Sequence, residues 1–348
     1  MIRSRSMLLK DIHSKPHLSS LFYRWTEERR EEFLDFCCGE KGVKILYDSF
    51  FKEIMNPEYA SNRLEDFLSL LLGKKVRILV VLPNDSTRIA DESSLLITDI
   101  IVELEDGSIA NVEVQKIGYH FPGERSACYS ADLLLRQYKR IRDKEKKKSC
   151  YKSIKNVYTI VLFERSPVEF RNFPTEYIHR FEQASNTGLK LNLLQKYIFI
   201  PLDIFKKNIH NKPINNKLDA WLFFFSASEP DEILQLIETY PEFHALYEDI
   251  YSLCLNTEKV MEMFSKELLE LDRNTVQYMI DEMQDTIDEL QNIIEEKKVT
   301  MKTMEQNYQS MEQDYNSMEQ DYKSMEQDYK SMEQKYNEAM EKLKTYES

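Results

Sequence analysis

Two acidic residues and an amide stand at a spacing that suits a metal-dependent hydrolytic site. Asp99 lies fourteen residues before Glu113, and Gln115 follows Glu113 at the next position but one. Carboxylate oxygens are the ligands that Mg²⁺ prefers, and a bound Mg²⁺ or Mn²⁺ serves phosphate chemistry well. Asp99 and Glu113 become candidate metal ligands if the fold brings their side chains to one face, with Gln115 beside them.

The elements that would position these residues read as one β-hairpin. Residues 96–104 and 108–115 are rich in isoleucine, valine and leucine, with polar residues interspersed. Asp106 and Gly107 between them are typical of a tight turn. The sequence therefore predicts two neighbouring antiparallel strands, one carrying Asp99 and the other Glu113.

The length of the hairpin loop decides whether the acids meet. A two-residue loop places Asp99 opposite Val114, and the two carboxylates then point to opposite faces. A three-residue loop over residues 105–107 places Asp99 opposite Glu113, on one face. An ordinary amphipathic hairpin with solvated acids has the same spacing, so the hairpin by itself leaves both interpretations open.

Further segments on both sides of the hairpin follow in a characteristic order. They are Leu46–Ile54 with its Asp-x-x-Phe-Lys pattern, Arg63–Gly73, Arg125–Tyr129 with Arg-x-x-x-Tyr, and Val157–Phe163. Together with the hairpin, these segments resemble the PD-(D/E)XK nuclease superfamily, in particular its transposase-like, recombination-promoting branch. The resemblance covers roughly residues 44–205.

The resemblance implies a fold and an activity. The fold would be an α/β, restriction-endonuclease-like core with a mixed central sheet flanked by helices. The activity would be metal-dependent hydrolysis of DNA phosphodiester bonds, in transposition or recombination. Asp99 and Glu113 would hold the metal, and Gln115 would orient the attacking water. Many such nucleases carry lysine at the position of Gln115, and a neutral amide supplies no positive charge.

The resemblance also implies a third acid on the first helix of the nuclease-like core, and DNA contacts further along the chain. For the acid we favour Glu53, with Asp48 and Glu65 as alternatives. The Arg-x-x-x-Tyr helix makes Arg125 and Tyr129 candidate DNA-binding residues. Each of these assignments follows from the resemblance alone.

The net charge of −13 is distributed unevenly along the chain. Residues 276–348 contribute −10, so residues 1–275 carry only −3. Within that body, residues 136–155 hold ten basic and two acidic side chains. Such a cluster could bind phosphates without sequence preference, with Arg136, Lys139 and Arg140 as contacts. A solvated helix end has the same composition.

Composition excludes several other classes of protein. The five cysteines form no Cys-x-x-Cys pair, which argues against a zinc site and a disulfide framework. No apolar run approaches the length of a membrane span, and the first residues lack the apolar segment of a signal peptide. We therefore expect a cytoplasmic protein that does not enter membranes.

The C-terminal region repeats Met-Glu-Gln-Asp-Tyr-Lys-Ser and close variants every seven residues from Met304. Tyrosine and methionine fall at positions a and d, which predicts one long helix with a coiled-coil seam. Positions e and g are mostly acidic, so we expect weak pairing there. Residues 276–294 carry a more conventional seam and are our candidate for a homodimer contact. The sequence identifies no partner for the repeats.

These patterns divide the chain into four parts. We expect an N-terminal helical arm (1–43), the nuclease-like core (44–205), a helical extension (206–275) and a coiled coil (276–348). Two alternatives to a nuclease remain open: a catalytically weak DNA-binding or regulatory protein, and an oligomerising scaffold built on the coiled coil.

Overall fold

The computed structural model describes most of the chain. The described residues are 3–82, 100–116, 122–145, 151–210 and 212–346. They divide into two compact units, Met1–Met279 and Ile280–Ser348.

The first unit is rich in helices. Its helices are α1 (Arg5–Ser14), α2 (Pro16–Arg24), α3 (Glu27–Cys37), α4 (Asp48–Ile54), α5 (Pro57–Leu72), α6 (Pro122–Glu145), α7 (Val168–Arg171), α8 (Leu202–Ile209), α9 (Lys217–Ser226), α10 (Pro230–Thr239), α11 (His244–Leu255) and the first part of α12 (Thr257–Tyr346). Short 3₁₀ turns at Tyr151–Ser153 and Pro241–Phe243 complete the helical elements described.

In the part of the chain that the structure describes, six strands form one mixed sheet. They are β1 (Ile78–Leu82), β2 (Ile100–Leu104), β3 (Ile109–Gln115), β4 (Val157–Phe163), β5 (His179–Phe181) and β6 (Gln195–Pro201). Their order across the sheet is β1-β2-β3-β4-β6-β5. The central strands β3, β4 and β6 run parallel, whereas β1 and β2 on one side and β5 on the other are antiparallel to their neighbours. This mixed sheet with flanking helices confirms the predicted restriction-endonuclease-like fold.

The two faces of the sheet are buried differently because side chains alternate along each strand. One face, which includes Val112, Ile160 and Ile198, joins a large apolar core with residues of α1–α5, α8, α9, α11 and the start of α12. The other face carries two smaller clusters, one of which contains Leu133 of α6. The N-terminal arm and the helical extension thus contribute to the same core as the nuclease-like segment.

Local sequence signals account for several of the observed boundaries. Asn56 caps α5 by accepting a hydrogen bond from the backbone N–H of Glu58, and Pro57 follows in the first turn. Gly73 ends α5 in the left-handed conformation with φ 64°, as its sequence predicts. Val157–Phe163, one of the segments that carry the family resemblance, forms β4 with those same bounds.

Helix α12 is longer than the repeats alone predict. It begins at Thr257 rather than near residue 276, because no glycine or proline interrupts the sequence from there to Tyr346. Its first turns lie in the core through Val260, Met261 and Phe264, which are fully buried.

The second unit consists of the remainder of α12. Its described seam side chains are exposed, including Leu290, Ile294, Tyr308 and Met311. The predicted coiled-coil pairing therefore needs a partner helix from outside this unit, and pairing itself stays a prediction. No helix in the described part of the chain combines the length and apolar character that crossing a membrane requires.

Candidate nuclease site

The hairpin adopts the three-residue loop. Ile100 pairs with Val112 and Glu103 with Ile109, so residues 105–107 form the connection. The backbone N–H of Gly107 donates to the carbonyl of Leu104 at 2.8 Å, and Gly107 has φ 81°, which favours glycine. Of the two registers that the sequence allows, this is the one that the metal-site hypothesis requires.

Asp99 itself lies outside the described residues. The described part of β2 begins at the next residue, Ile100. Its predicted role as a metal ligand therefore stays a prediction, as does the contact between its carboxylate and that of Glu113.

Glu113 lies on the sheet face that α6 covers. Its side chain is only 2 % exposed, and Gln115 lies beside it on the same strand face. The Gln115 amide donates from Nε2 to Glu113 Oε1 at 2.9 Å, and Arg125 Nη2 lies 3.8 Å from the same oxygen. Strand β3 thus holds an acid and an amide together, and α6 brings a positive charge to them.

Among the described residues, the second oxygen of the Glu113 carboxylate and the amide oxygen of Gln115 have no hydrogen-bond partner. Glu113 Oε2 and Gln115 Oε1 are buried and accept no hydrogen bond in the described structure. Buried polar atoms normally find a partner, so these two oxygens are suited to an additional ligand such as a cation or water. Oxygen is also the donor that a hard divalent cation prefers, so the donor set fits Mg²⁺ or Mn²⁺.

The electrostatics of Glu113 reflect this setting. Burial raises the pKa of the Glu113 carboxyl above its ordinary value, because desolvation disfavours the charged form. The positive charge of Arg125 and the hydrogen bond from Gln115 lower the pKa and oppose that rise. Lys52 of α4 lowers it as well, whereas Asp48 raises it.

The three candidates for the third acid occupy different surroundings, with Asp48 and Glu53 on α4 and Glu65 on α5. Asp48 is the acid whose charge acts on Glu113, and its carboxylate pairs with Lys52 Nζ at 2.9 Å. Glu53, the acid we favoured, pairs instead with Lys259 Nζ of α12 at 2.5 Å. Glu65 accepts a hydrogen bond from the backbone N–H of Ile78 at 2.8 Å. Sequence spacing could not separate these three acids, because the contact with Lys259 spans 206 residues of chain.

Further buried polar side chains line the interior between the sheet and α6. They are Asn111 on β3, Thr159 on β4, and Ser126 and Ser130 on α6. Their polar side-chain atoms have no hydrogen-bond partner within the described structure. Sequence reasoning missed this group, although polar residues among the apolar ones of β3 and β4 were a visible signal. Such a group is suited to bound water.

The candidate DNA-binding residues of α6 differ in accessibility. Tyr129 is buried, and its ring lies 5.3 Å beneath the Arg125 guanidinium. Arg136 pairs with Asp132 at 2.8 Å, and Arg140 pairs with Glu103 at 3.1 Å. Lys139 and Arg140 are exposed. Of the basic stretch, residues 146–150 lie outside the described part of the chain.

The described side chains contain no cluster of three or more histidine, cysteine, aspartate or glutamate residues that could hold a metal ion. Asp99, the other predicted metal ligand, lies outside the described residues. Among the described residues, Glu113 is the predicted metal ligand, and Asp48 is the first-helix acid whose charge acts on it.

Comparison with known proteins identifies the family of this chain. Residues 45–281 match the family described as PD-(D/E)XK nuclease family transposase. No curated protein and no solved structure matches the chain significantly. The family match covers more than half of the chain and includes α4, the hairpin, α6 and β4. The chain belongs to the PD-(D/E)XK nuclease family of transposases.

Proposed function

We propose that this protein is a metal-dependent DNA endonuclease whose metal is held between Asp99 and Glu113. The hairpin register is the observation that carries the proposal. If the pairing of Ile100 with Val112 continues by one residue pair, Asp99 would lie opposite Glu113. A bound Mg²⁺ or Mn²⁺ would polarise the scissile phosphate and lower the pKa of a bound water.

The chain's own residues would position the reactants. Gln115 donates to Glu113 and keeps Oε1 available, so it can accept a hydrogen bond from the attacking water. Arg125, next to Glu113, can bind a phosphate oxygen of the DNA. Tyr129 supports the Arg125 side chain from below rather than touching DNA.

We propose Lys52 as the source of the positive charge that Gln115 lacks. Its charge already acts on Glu113, and its ammonium group is ion-paired with Asp48. Asp48 would hold Lys52 in place or reach the metal itself. Asp48 therefore replaces Glu53 as our candidate for the first-helix acid.

The test is nicking of supercoiled plasmid in Mg²⁺ or Mn²⁺. We expect wild type to nick, and Asp99→Ala, Glu113→Ala and Lys52→Met each to lose at least tenfold in rate. Asp48→Asn should also lose activity, whereas Glu53→Gln, whose carboxylate is engaged by Lys259, serves as the matched control. Equal nicking by wild type and by Glu113→Ala would show that the activity belongs to another site or another protein.

A catalytically weak DNA-binding protein is the second candidate. The amide at Gln115 favours it, since no lysine stands at that position. Binding of DNA that weakens steeply with salt, without metal-dependent nicking, would identify it. Absence of both activities would favour the scaffold built on α12. A role in transposition or recombination is proposed from the family alone.

A further inference from the structure

An aromatic groove lies on the same sheet face as Glu113, near the edge of the sheet that β5 forms. It has a volume of about 610 Å³. Its walls are the first turns of α6, helix α7 and the paired strands β5 and β6. The aromatic side chains that line it are Phe170, Phe173, His179, Phe181, Tyr197 and Phe199.

The strand register fixes the distance between the groove and the site. Glu113 pairs with Val161, Val161 pairs with Phe199, and Phe199 pairs with His179. Residues in one row of a sheet point to the same face, and neighbouring strands lie about 4.8 Å apart. Phe199 is therefore about 10 Å from Glu113 along the row. In a stacked DNA strand, with a rise of about 3.4 Å per nucleotide, this distance corresponds to roughly three nucleotides.

The rings of the groove leave aromatic surface open. Phe170 and Phe199 are buried and form its floor, whereas Phe173 is 55 % and Phe181 is 47 % exposed at its sides. Phe181 packs against Phe199 with ring centroids 5.3 Å apart, and Phe173 packs against His179 at 5.7 Å. A flat ligand that enters the groove would contact several rings at once.

Charges around the groove select the kind of ligand. Glu124 and Glu169 line its edge and would repel a phosphate, yet their oxygens can accept hydrogen bonds from an exocyclic amino group. Arg125 contacts Glu113, and its chain neighbour Glu124 lines the groove. A flat base in the groove and a phosphate at Arg125 match this arrangement.

We propose that the groove binds one unstacked nucleobase of the DNA strand that is cut, a few nucleotides from the scissile phosphate. The inference rests on the proposed nuclease function for the position of the cut. The binding itself follows from the groove, because aromatic rings stack on any base and favour single-stranded over paired DNA. The two acids would favour bases that carry an amino group, namely cytosine, adenine and guanine.

The test uses the full chain and a single-stranded oligonucleotide containing 2-aminopurine, with EDTA present. Stacking quenches the fluorescence of this base, and both tryptophans of the chain are buried away from the groove. We expect quenching by wild type. The double variant Phe173→Leu/Phe181→Leu should keep the apolar surface, lose the quenching and bind roughly five- to a hundredfold more weakly. Tyr23→Leu, an exposed aromatic on α2, should change neither quantity.

A second pair of variants tests the groove without removing an aromatic side chain. Ala127 is exposed and lines the groove, whereas Ala131 is exposed one helical turn further along α6 and does not line it. Ala127→Leu should obstruct the groove and weaken binding of the oligonucleotide. Ala131→Leu, the same change on the same helix, should leave binding as in wild type.

The outcomes separate this inference from the proposed function. Quenching lost in the groove variants supports the inference even if no variant nicks plasmid. Unchanged binding and quenching in the groove variants, or no binding of single strands by wild type, overturns it even if the protein is an active nuclease. A groove variant that alters self-association in sedimentation, but not oligonucleotide binding, would overturn it in favour of a protein interface.

Discussion

At the scale of single residues, the burial and hydrogen bonding of Glu113 bear on its proposed role as a metal ligand. Its carboxyl is buried, accepts one hydrogen bond from Gln115, and has one oxygen without a partner in the described structure. Burial raises its pKa above the ordinary value of 4.5. A metal ion requires the ionised form, so metal affinity should increase with pH through this titration.

The first prediction concerns the stability of the metal-free protein. A carboxyl whose pKa is raised by folding stabilises the fold below its ordinary pKa, and that contribution is lost as pH rises through the folded pKa. Glu113→Gln removes the buried charge, so the free energy of unfolding at pH 7 should rise by on the order of 1 kcal/mol. Urea denaturation in EDTA measures it.

The pH dependence provides the check on that prediction. The difference between Glu113→Gln and wild type should shrink as pH falls toward 4.5, because wild type then protonates. Glu103→Gln, on the neighbouring strand and partly exposed, should show no comparable gain. A Glu113→Gln protein less stable than wild type at pH 7 would mean that the site favours the ionised carboxylate without metal.

At the scale of elements, the end of strand β3 is joined to helix α12 inside the core. Lys116, directly after Gln115, pairs with Glu267 of α12, and Glu267 is 0 % exposed. The Lys116 ammonium also lies 4.3 Å from the centre of the Tyr47 ring. A buried ion pair is costly to break, because removing one partner leaves the other charge buried and uncompensated.

The second prediction follows from that pair. Glu267→Ala should lower the free energy of unfolding by about 3–5 kcal/mol. The double variant Lys116→Met/Glu267→Leu removes both charges at similar volume and should recover most of the loss. Glu262→Ala is the matched control, since that residue is exposed on α12 and pairs with Lys266. Equal stability of the single and double variants in denaturant titrations would show that the loss comes from packing alone.

Sequence could predict elements that depend on local signals. The hairpin, the glycine that ends α5 and the bounds of β4 all follow from neighbouring residues. The sequence does not determine the length of the hairpin loop, because the same turn residues are compatible with both registers. The distinction between Glu53 and Asp48 depends on α12, which is distant in sequence. The aromatic groove could not be predicted from the sequence either, because its walls come from four separate elements.

At the scale of the whole molecule, net negative charge is concentrated in the C-terminal part of the chain, with −10 in residues 276–348 against −3 in residues 1–275. The repeat region carries most of the net negative charge and exposes its tyrosines and methionines. Acidic side chains at positions e and g oppose pairing of the repeats, and salt partly screens that repulsion. In residues 276–294, positions e and g are not uniformly acidic. We therefore propose that this segment determines self-association.

The third prediction tests that division. A chain that ends at residue 303 should keep the oligomeric state of the full chain, because it retains residues 276–294. A chain that ends at 275 keeps the buried turns of α12 but should sediment as a monomer. A dimer that is lost on removing only residues 304–348 would show that the tyrosine–methionine seam pairs more strongly than its charges suggest.

The most direct test of the central claim is calorimetric titration of Mn²⁺ into the full-length protein at neutral pH. If Asp99 and Glu113 share one cation, wild type should bind Mn²⁺ at a site that both Asp99→Asn and Glu113→Gln abolish. Glu103→Gln, on the same hairpin, should bind Mn²⁺ as wild type does. Binding that survives in either of the two variants would contradict a metal site across this hairpin.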